Sequence, residues 1–178
     1  MMNLPNALAT LRILLTPVIF WLLVDRDSPL LAGIHESWLN YFAGLLFVIA
    51  GMTDFFDGHI ARRWNQKTKL GGILDPLADK MLMLGAFLGL MMLGRASPWA
   101  IYLILVREFF ITGLRVAAAG EGRDVAASMA GKIKTFIQLF AVGFLLMEWP
   151  GGELLLWLAV AMTIWSGWEY VRDYARQK

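Results

Sequence analysis

The 178 residues are 58% hydrophobic and only 17% charged, against roughly 45–50% apolar residues in a soluble domain. The apolar residues fall in long blocks, which excludes an ordinary soluble domain and points to a membrane protein. There is no cysteine, so disulfides, thiolate metal sites and cysteine nucleophiles are excluded, and a net charge of +2 is too small to suggest nucleic-acid binding.

Six blocks are long enough to cross a bilayer as helices, each needing about 20 residues. They are residues 8–24, 38–62, 70–94, 98–119, 128–147 and 154–171. Their apolar runs are continuous rather than alternating, so an all-α integral membrane protein with six transmembrane helices is expected, not a barrel. Residues 1–6 carry no Lys or Arg, and no small-residue cleavage site follows the first block. That block is therefore expected to be a retained span, not a cleaved signal. No Ser/Gly-rich linker divides the chain, so residues 1–178 read as a single transmembrane domain.

Lys and Arg sort by connection. Arg62, Arg63, Lys67 and Lys69 follow the second block. Arg115, Arg123, Lys132 and Lys134 flank the fourth-to-fifth connection, and Arg172, Arg176 and Lys178 form the tail. The opposite side holds Arg26 and Arg95 among Asp25, Asp27, Glu36, Glu148 and Glu153. The positive-inside rule then predicts that both termini are cytoplasmic. Trp38, Trp99 and Trp149 fall near predicted outer ends, which suits an interfacial aromatic belt.

The second and third blocks contain four aspartates, Asp54, Asp57, Asp75 and Asp79. A carboxylate deep in a bilayer costs roughly 2.5–3.5 kcal/mol on insertion scales, so such a set persists only with cations or a wet cavity. Asp54 and Asp57 share one helix face, and Asp75 and Asp79 share a face of the next helix. Counting inward from Arg62 and Gly71, Asp54 and Asp79 lie about 12 Å deep, and Asp57 and Asp75 about 7 Å. Two antiparallel helices would therefore place the four in two levels, open to the cytoplasm. All four offer hard oxygen ligands, which favours Mg²⁺ or Mn²⁺ over zinc. Four carboxylates suit two such ions about 3.5–4 Å apart, an arrangement that clamps phosphoryl groups. Gly58 and Ala61 would let a bulky ligand approach, or merely permit tight helix packing. Arg62 stands at the polar end, placed to grip a phosphate.

Residues 54–79 read DFFDGHIARRWNQKTKLGGILDPLAD, matching D-x-x-D-G-x-x-A-R-x8-G-x3-D-x3-D at all eight fixed identities. This resembles the CDP-alcohol phosphotransferase family. LPNALATLRILLTP, the run 107–115 and GKIKT (131–135) look like stretches of its bacterial phosphatidylglycerophosphate-forming branch. The resemblance implies transfer of a phosphatidyl group from CDP-diacylglycerol to glycerol 3-phosphate at the cytoplasmic face of a bacterial cell membrane, by a homodimer among membrane lipids. It implies Asp54, Asp57 and Asp75 as ligands to two Mg²⁺ or Mn²⁺ ions. Asp79 is implied as both ligand and general base. Gly58, Arg62, Thr68, Gly71 and Asn6 are implied to line the CDP-diacylglycerol site. Other acceptors would make the chain a phosphatidylserine, cardiolipin or phosphatidylinositol phosphate synthase.

A phosphorylated acceptor needs cations. Arg115, Lys132, Lys134 and Arg107 are the candidates. Arg107 and Glu108 lie near mid-span, and as sequence neighbours they are expected to point apart and to find partners on other helices. Lys132 and Lys134, two apart, cannot both enter one pocket from a regular helix. An ion transporter would also hold intramembrane carboxylates, but these gather near one side and no inverted repeat is visible. A prenyltransferase would also use aspartates, but not the Gly, Ala and Arg identities that follow them here.

Overall fold

The computed structural model describes residues 4–63, 71–121 and 129–176, with the side chains of residues 4, 5, 54–63, 72 and 73 outside the described set. Among the described residues it contains six α-helices, one short 3-10 helix (Pro29–Leu31) and no strand; the α-helices are α1 (Leu4–Val24), α2 (Glu36–Arg63), α3 (Gly71–Met92), α4 (Pro98–Gly120), α5 (Met129–Leu146) and α6 (Gly152–Arg176). The six expected blocks each correspond to one helix. α6 runs past its apolar block to Arg176 because nothing in Arg172–Arg176 interrupts a helix, polar though it is. By length and composition α1, α5 and α6 can cross a membrane, over Asn6–Val24, Met129–Leu146 and Gly152–Arg176. α3 and α4 are as long, at 22 and 23 residues, but carry the acidic and basic residues singled out above.

The helices form two compact units, Met1–Leu93 and Gly94–Lys178. In the first, α1 packs against both α2 and α3. Gly85 and Gly89 of α3 allow the approach to α1. A Cβ at Gly85 would stand 2.8 Å from Thr16 Cγ2, and one at Gly89 2.6 Å from Leu23 Cδ1. Such four-residue spacing of small residues lets helices pack closely where lipid supplies no hydrophobic drive. Pro17 and Pro76 lie inside α1 and α3 and each deprive a carbonyl one turn upstream of its backbone donor. Arg26 closes the far end of α1, donating to Leu23 O at 3.3 Å and to Asn40 Oδ1 on α2 at 2.7 Å.

In the second unit α6 is the shared partner. α4 and α5 each pack on it, and among the described residues they meet each other through the long side chains of Glu108 and Lys134 rather than backbone to backbone. Leu156, Ala159, Val160, Thr163, Ser166, Gly167 and Tyr170 give α6 its buried stripe at helical spacing. α5 ends in a Schellman turn. Trp149 N donates to Phe144 O at 2.9 Å, Glu148 N donates to Leu145 O at 3.4 Å, and the Phe144 and Trp149 rings meet edge-on at 5.2 Å. The left-handed position, usually glycine, is Glu148 at φ 57°, and its carboxylate pairs with Arg95.

Burial is inverted relative to a soluble protein. Asn6, Arg12, Thr16, Lys134, Gln138, Thr163 and Ser166 are buried, while Leu14, Val48, Phe109, Phe136, Trp165 and Trp168 are exposed. Lipid is the solvent that makes such faces stable. Trp38, Trp99 and Trp149 are also exposed, as an interfacial belt requires.

Candidate active site

The first unit gathers its polar groups around α1. Arg12 is fully buried, and its Nη1 meets Asp79 Oδ1 of α3 at 2.8 Å. Its Nε points to Thr53 Oγ1 of α2 at 3.4 Å, and that hydroxyl donates to Ala50 O at 2.6 Å. A guanidinium withdrawn wholly from water is tolerated only when paired, which accounts for the contact with Asp79. Asp79 is itself 48% exposed, so the carboxylate is held on one side and accessible on the other. Asp75 lies one turn earlier on α3 and is half-buried.

Asp75 and Asp79 are thus on one helix face, as expected. The backbone of α2 carries Asp54, Asp57, Gly58 and Arg62, whose side chains lie outside the described residues, as does Thr68 altogether. Gly71 opens α3 and is buried, and Asn6 is buried in the first turns of α1. Among the described residues no three His, Cys, Asp or Glu side chains converge. Asp75 and Asp79 are two of the four expected ligands. Two carboxylates a turn apart are a donor set that fits a hard divalent cation. A carboxylate has two oxygens with several lone pairs, so the bond from Arg12 does not exhaust Asp79.

The second unit has its own polar cluster between α4 and α5, floored by α6. Glu108 Oε1 accepts from Arg107 Nη1 at 3.0 Å and also from Lys134 Nζ. Arg107 Nη2 reaches Ser166 Oγ at 2.9 Å, Ser166 donates to Thr163 O at 3.2 Å, and Gln138 Nε2 donates to Thr163 Oγ1 at 3.0 Å. Gly167 admits the Arg107 stem, since a Cβ there would lie 3.0 Å from Nε. The expectation that Arg107 and Glu108 point apart is corrected. Their Cβ atoms diverge, but the long Arg side chain folds back to its neighbour as well as reaching α6. Partners on other helices, Lys134 and Ser166, are present as expected.

The two lysines separate on the regular helix α5. Lys134 is buried on Glu108, whereas Lys132 is exposed. Arg115 is exposed too, with its guanidinium 5.4 Å from the Tyr170 ring centroid, a cation–π contact. Of the four cations considered for an acceptor phosphate, Arg107 and Lys134 are bound into an ion-pair network, and Arg115 and Lys132 face outward.

Arg12 was missed from sequence. It lies within an otherwise apolar span, and its partner is 67 residues away. The available signal was the charge itself, because a cation within a span calls for a partner.

The aspartate motif on two successive helices of an apolar all-helical chain fits a membrane enzyme of the phosphotransferase kind. The CDP-alcohol phosphatidyltransferase family model matches residues 2–165, and the chain belongs to that family. The matched stretch runs through both units. A CDP-diacylglycerol–glycerol-3-phosphate 3-phosphatidyltransferase of Bacillus subtilis is 41% identical, over 96% of this chain and 94% of its own. The protein of the same name from Rickettsia typhi is 38% identical over 97% of both chains. A probable phosphatidylglycerophosphate synthase of Mycobacterium tuberculosis is 36% identical over 95% of this chain and 80% of its own.

Proposed function

We propose that the chain transfers the phosphatidyl group of CDP-diacylglycerol to glycerol 3-phosphate, giving phosphatidylglycerophosphate and CMP. The observation that carries this is the Asp75–Asp79 face of α3 with Asp79 gripped by buried Arg12. The near full-length identity to relatives named for that reaction supports it.

The acyl chains of the donor would lie against the exposed apolar faces. Asn6, Gly58, Arg62, Thr68 and Gly71 would line the cytidine diphosphate. Asp54, Asp57, Asp75 and Asp79 would hold two divalent cations, Mg²⁺ or Mn²⁺, which neutralise the diphosphate and the charge on departing CMP. Asp79 accepts the proton of the acceptor hydroxyl. The acceptor oxygen then bonds to the phosphorus carrying diacylglycerol, the bond from that phosphorus to CMP breaks, and CMP leaves with the electron pair. Positioning and charge stabilisation carry the rate, with no covalent enzyme intermediate. Arg115, Lys132, Lys134 and Arg107 are assigned the acceptor phosphate, with Arg115 and Lys132 the two that are exposed. Six spans with both termini cytoplasmic, a cell-membrane location and a homodimer complete the proposal.

The test is incubation of purified protein with CDP-diacylglycerol and a panel of glycerol 3-phosphate, serine, phosphatidylglycerol and inositol phosphate, with products identified by mass. Phosphatidylglycerophosphate and CMP are expected, and chelator should stop both. A product from another alcohol alone reassigns the acceptor. No lipid product from any of them sinks the transferase.

A further inference from the structure

Arg12 stands within the most apolar helix of the first unit, where a cation costs free energy. Simple charge balance for Asp79 does not require this residue, since Asp79 is half exposed and its charge can be solvated. What the position supplies is geometry. From α1, one guanidinium reaches Asp79 on α3 with Nη1 and Thr53 on α2 with Nε. Thr53 immediately precedes Asp54 in α2. Its hydroxyl is anchored to Ala50 O at 2.6 Å, so the second contact ends on a fixed point. The backbone of Arg12 is fixed as well. Thr16 Oγ1 donates to Arg12 O at 2.9 Å, while Thr16 Cγ2 lies against Gly85 of α3. The α1–α3 spacing and the reach of the guanidinium are therefore set together.

We infer that Arg12 is a positioning residue that fixes the Asp79 carboxylate of α3 in register with the Asp54 end of α2, so that the two aspartate-bearing helices present one preformed divalent-cation site. This rests on Asp75 and Asp79 being cation ligands. A planar fork with separated donors can bridge two helices in this way, and the point charge of lysine cannot. Partners that orient a ligand from behind typically set ~10- to 100-fold in metal affinity or activity.

The experiment measures Mn²⁺ binding to the purified full-length enzyme by electron paramagnetic resonance, without lipid substrates, beside the Mn²⁺ dependence of turnover. Arg12→Lys preserves the charge, so any effect reports geometry. It should weaken Mn²⁺ binding by ~10- to 100-fold, raise the Mn²⁺ needed for half-maximal turnover in parallel, and regain much of kcat at saturating Mn²⁺. Thr53→Val preserves every charge and nearly the same shape, and should move both quantities in the same direction by a smaller factor. Wild-type Mn²⁺ affinity in both variants overturns the role of Arg12, as does wild-type affinity in Thr53→Val alone should Arg12→Lys not fold. If the unaltered enzyme binds no Mn²⁺, the cation site itself is refuted and the inference with it.

Discussion

The cluster of Arg107, Glu108 and Lys134 makes an asymmetric prediction about stability. The side chains of Lys134, Arg107 and Glu108 are 8%, 13% and 23% exposed, and one carboxylate oxygen serves both cations. Replacing Glu108 by Ala leaves two buried cations with the anion between them gone. Removing one partner of a buried pair costs roughly 3–5 kcal/mol, and Arg107 keeps only Ser166 as a described acceptor. Replacing Lys134 by Met is milder. Glu108 retains Arg107 at 3.0 Å, so the loss is one charge-assisted hydrogen bond, roughly 1.5–3 kcal/mol, offset in part because the ammonium no longer has to be buried. The double variant removes the anion and one of the two cations it left stranded, so it should be more stable than Glu108→Ala alone. The coupling should fall within about 0.5–3 kcal/mol. The assay is unfolding by SDS titration from mixed micelles, followed by tryptophan fluorescence. Equal losses in the two single variants, or a double variant as unstable as their sum, would refute the shared-carboxylate reasoning.

Three further outcomes are expected. Asp75→Ala should abolish transfer, while Asp79→Asn should abolish turnover but keep part of the CDP-diacylglycerol binding; wild-type rates in either would remove that residue from the site. Arg115→Ala should raise the KM for glycerol 3-phosphate by at most about 10-fold, the low end for a charge-assisted bond, because the guanidinium is exposed. The KM for CDP-diacylglycerol should stay put, and unchanged kinetics in both Arg115→Ala and Lys132→Ala would misplace the acceptor pocket. Glu148→Gly should leave stability equal or higher. It relieves a left-handed strain of roughly 1–2 kcal/mol and gives up an ion pair open to solvent on the Glu148 side, worth about 0–1 kcal/mol; a clear loss in the same SDS titration would show that the contact with the largely buried Arg95 dominates.

Much of the fold was legible because a bilayer restricts a chain to a few solutions. Continuous apolar runs must become helices, and the six blocks did so with shifts of a few residues at their ends. The aspartate motif was legible because ligand chemistry and helical period act over one or two turns. Asp75 and Asp79 therefore share a face wherever α3 packs. Composition and local spacing by themselves determined those features.

Tertiary structure decided which charges meet. Arg12 finds Asp79 because Gly85 and Gly89 let α1 lie close to α3, a contact between residues far apart in sequence. Lys134 rather than Lys132 turns inward because α5 docks on α6 along Gln138, Ala141, Val142 and Leu145, which fixes the rotation of the helix. Arg107 folds onto Glu108 because Gly167 and Ser166 of α6 hold its stem and its far nitrogen, so the rule that adjacent residues face apart gives way to side-chain length. Local pattern says where a charge sits along a helix. Only the packing of that helix against its neighbours says what the charge must pair with, because in a low-dielectric interior an unpaired charge is too costly to leave unmatched.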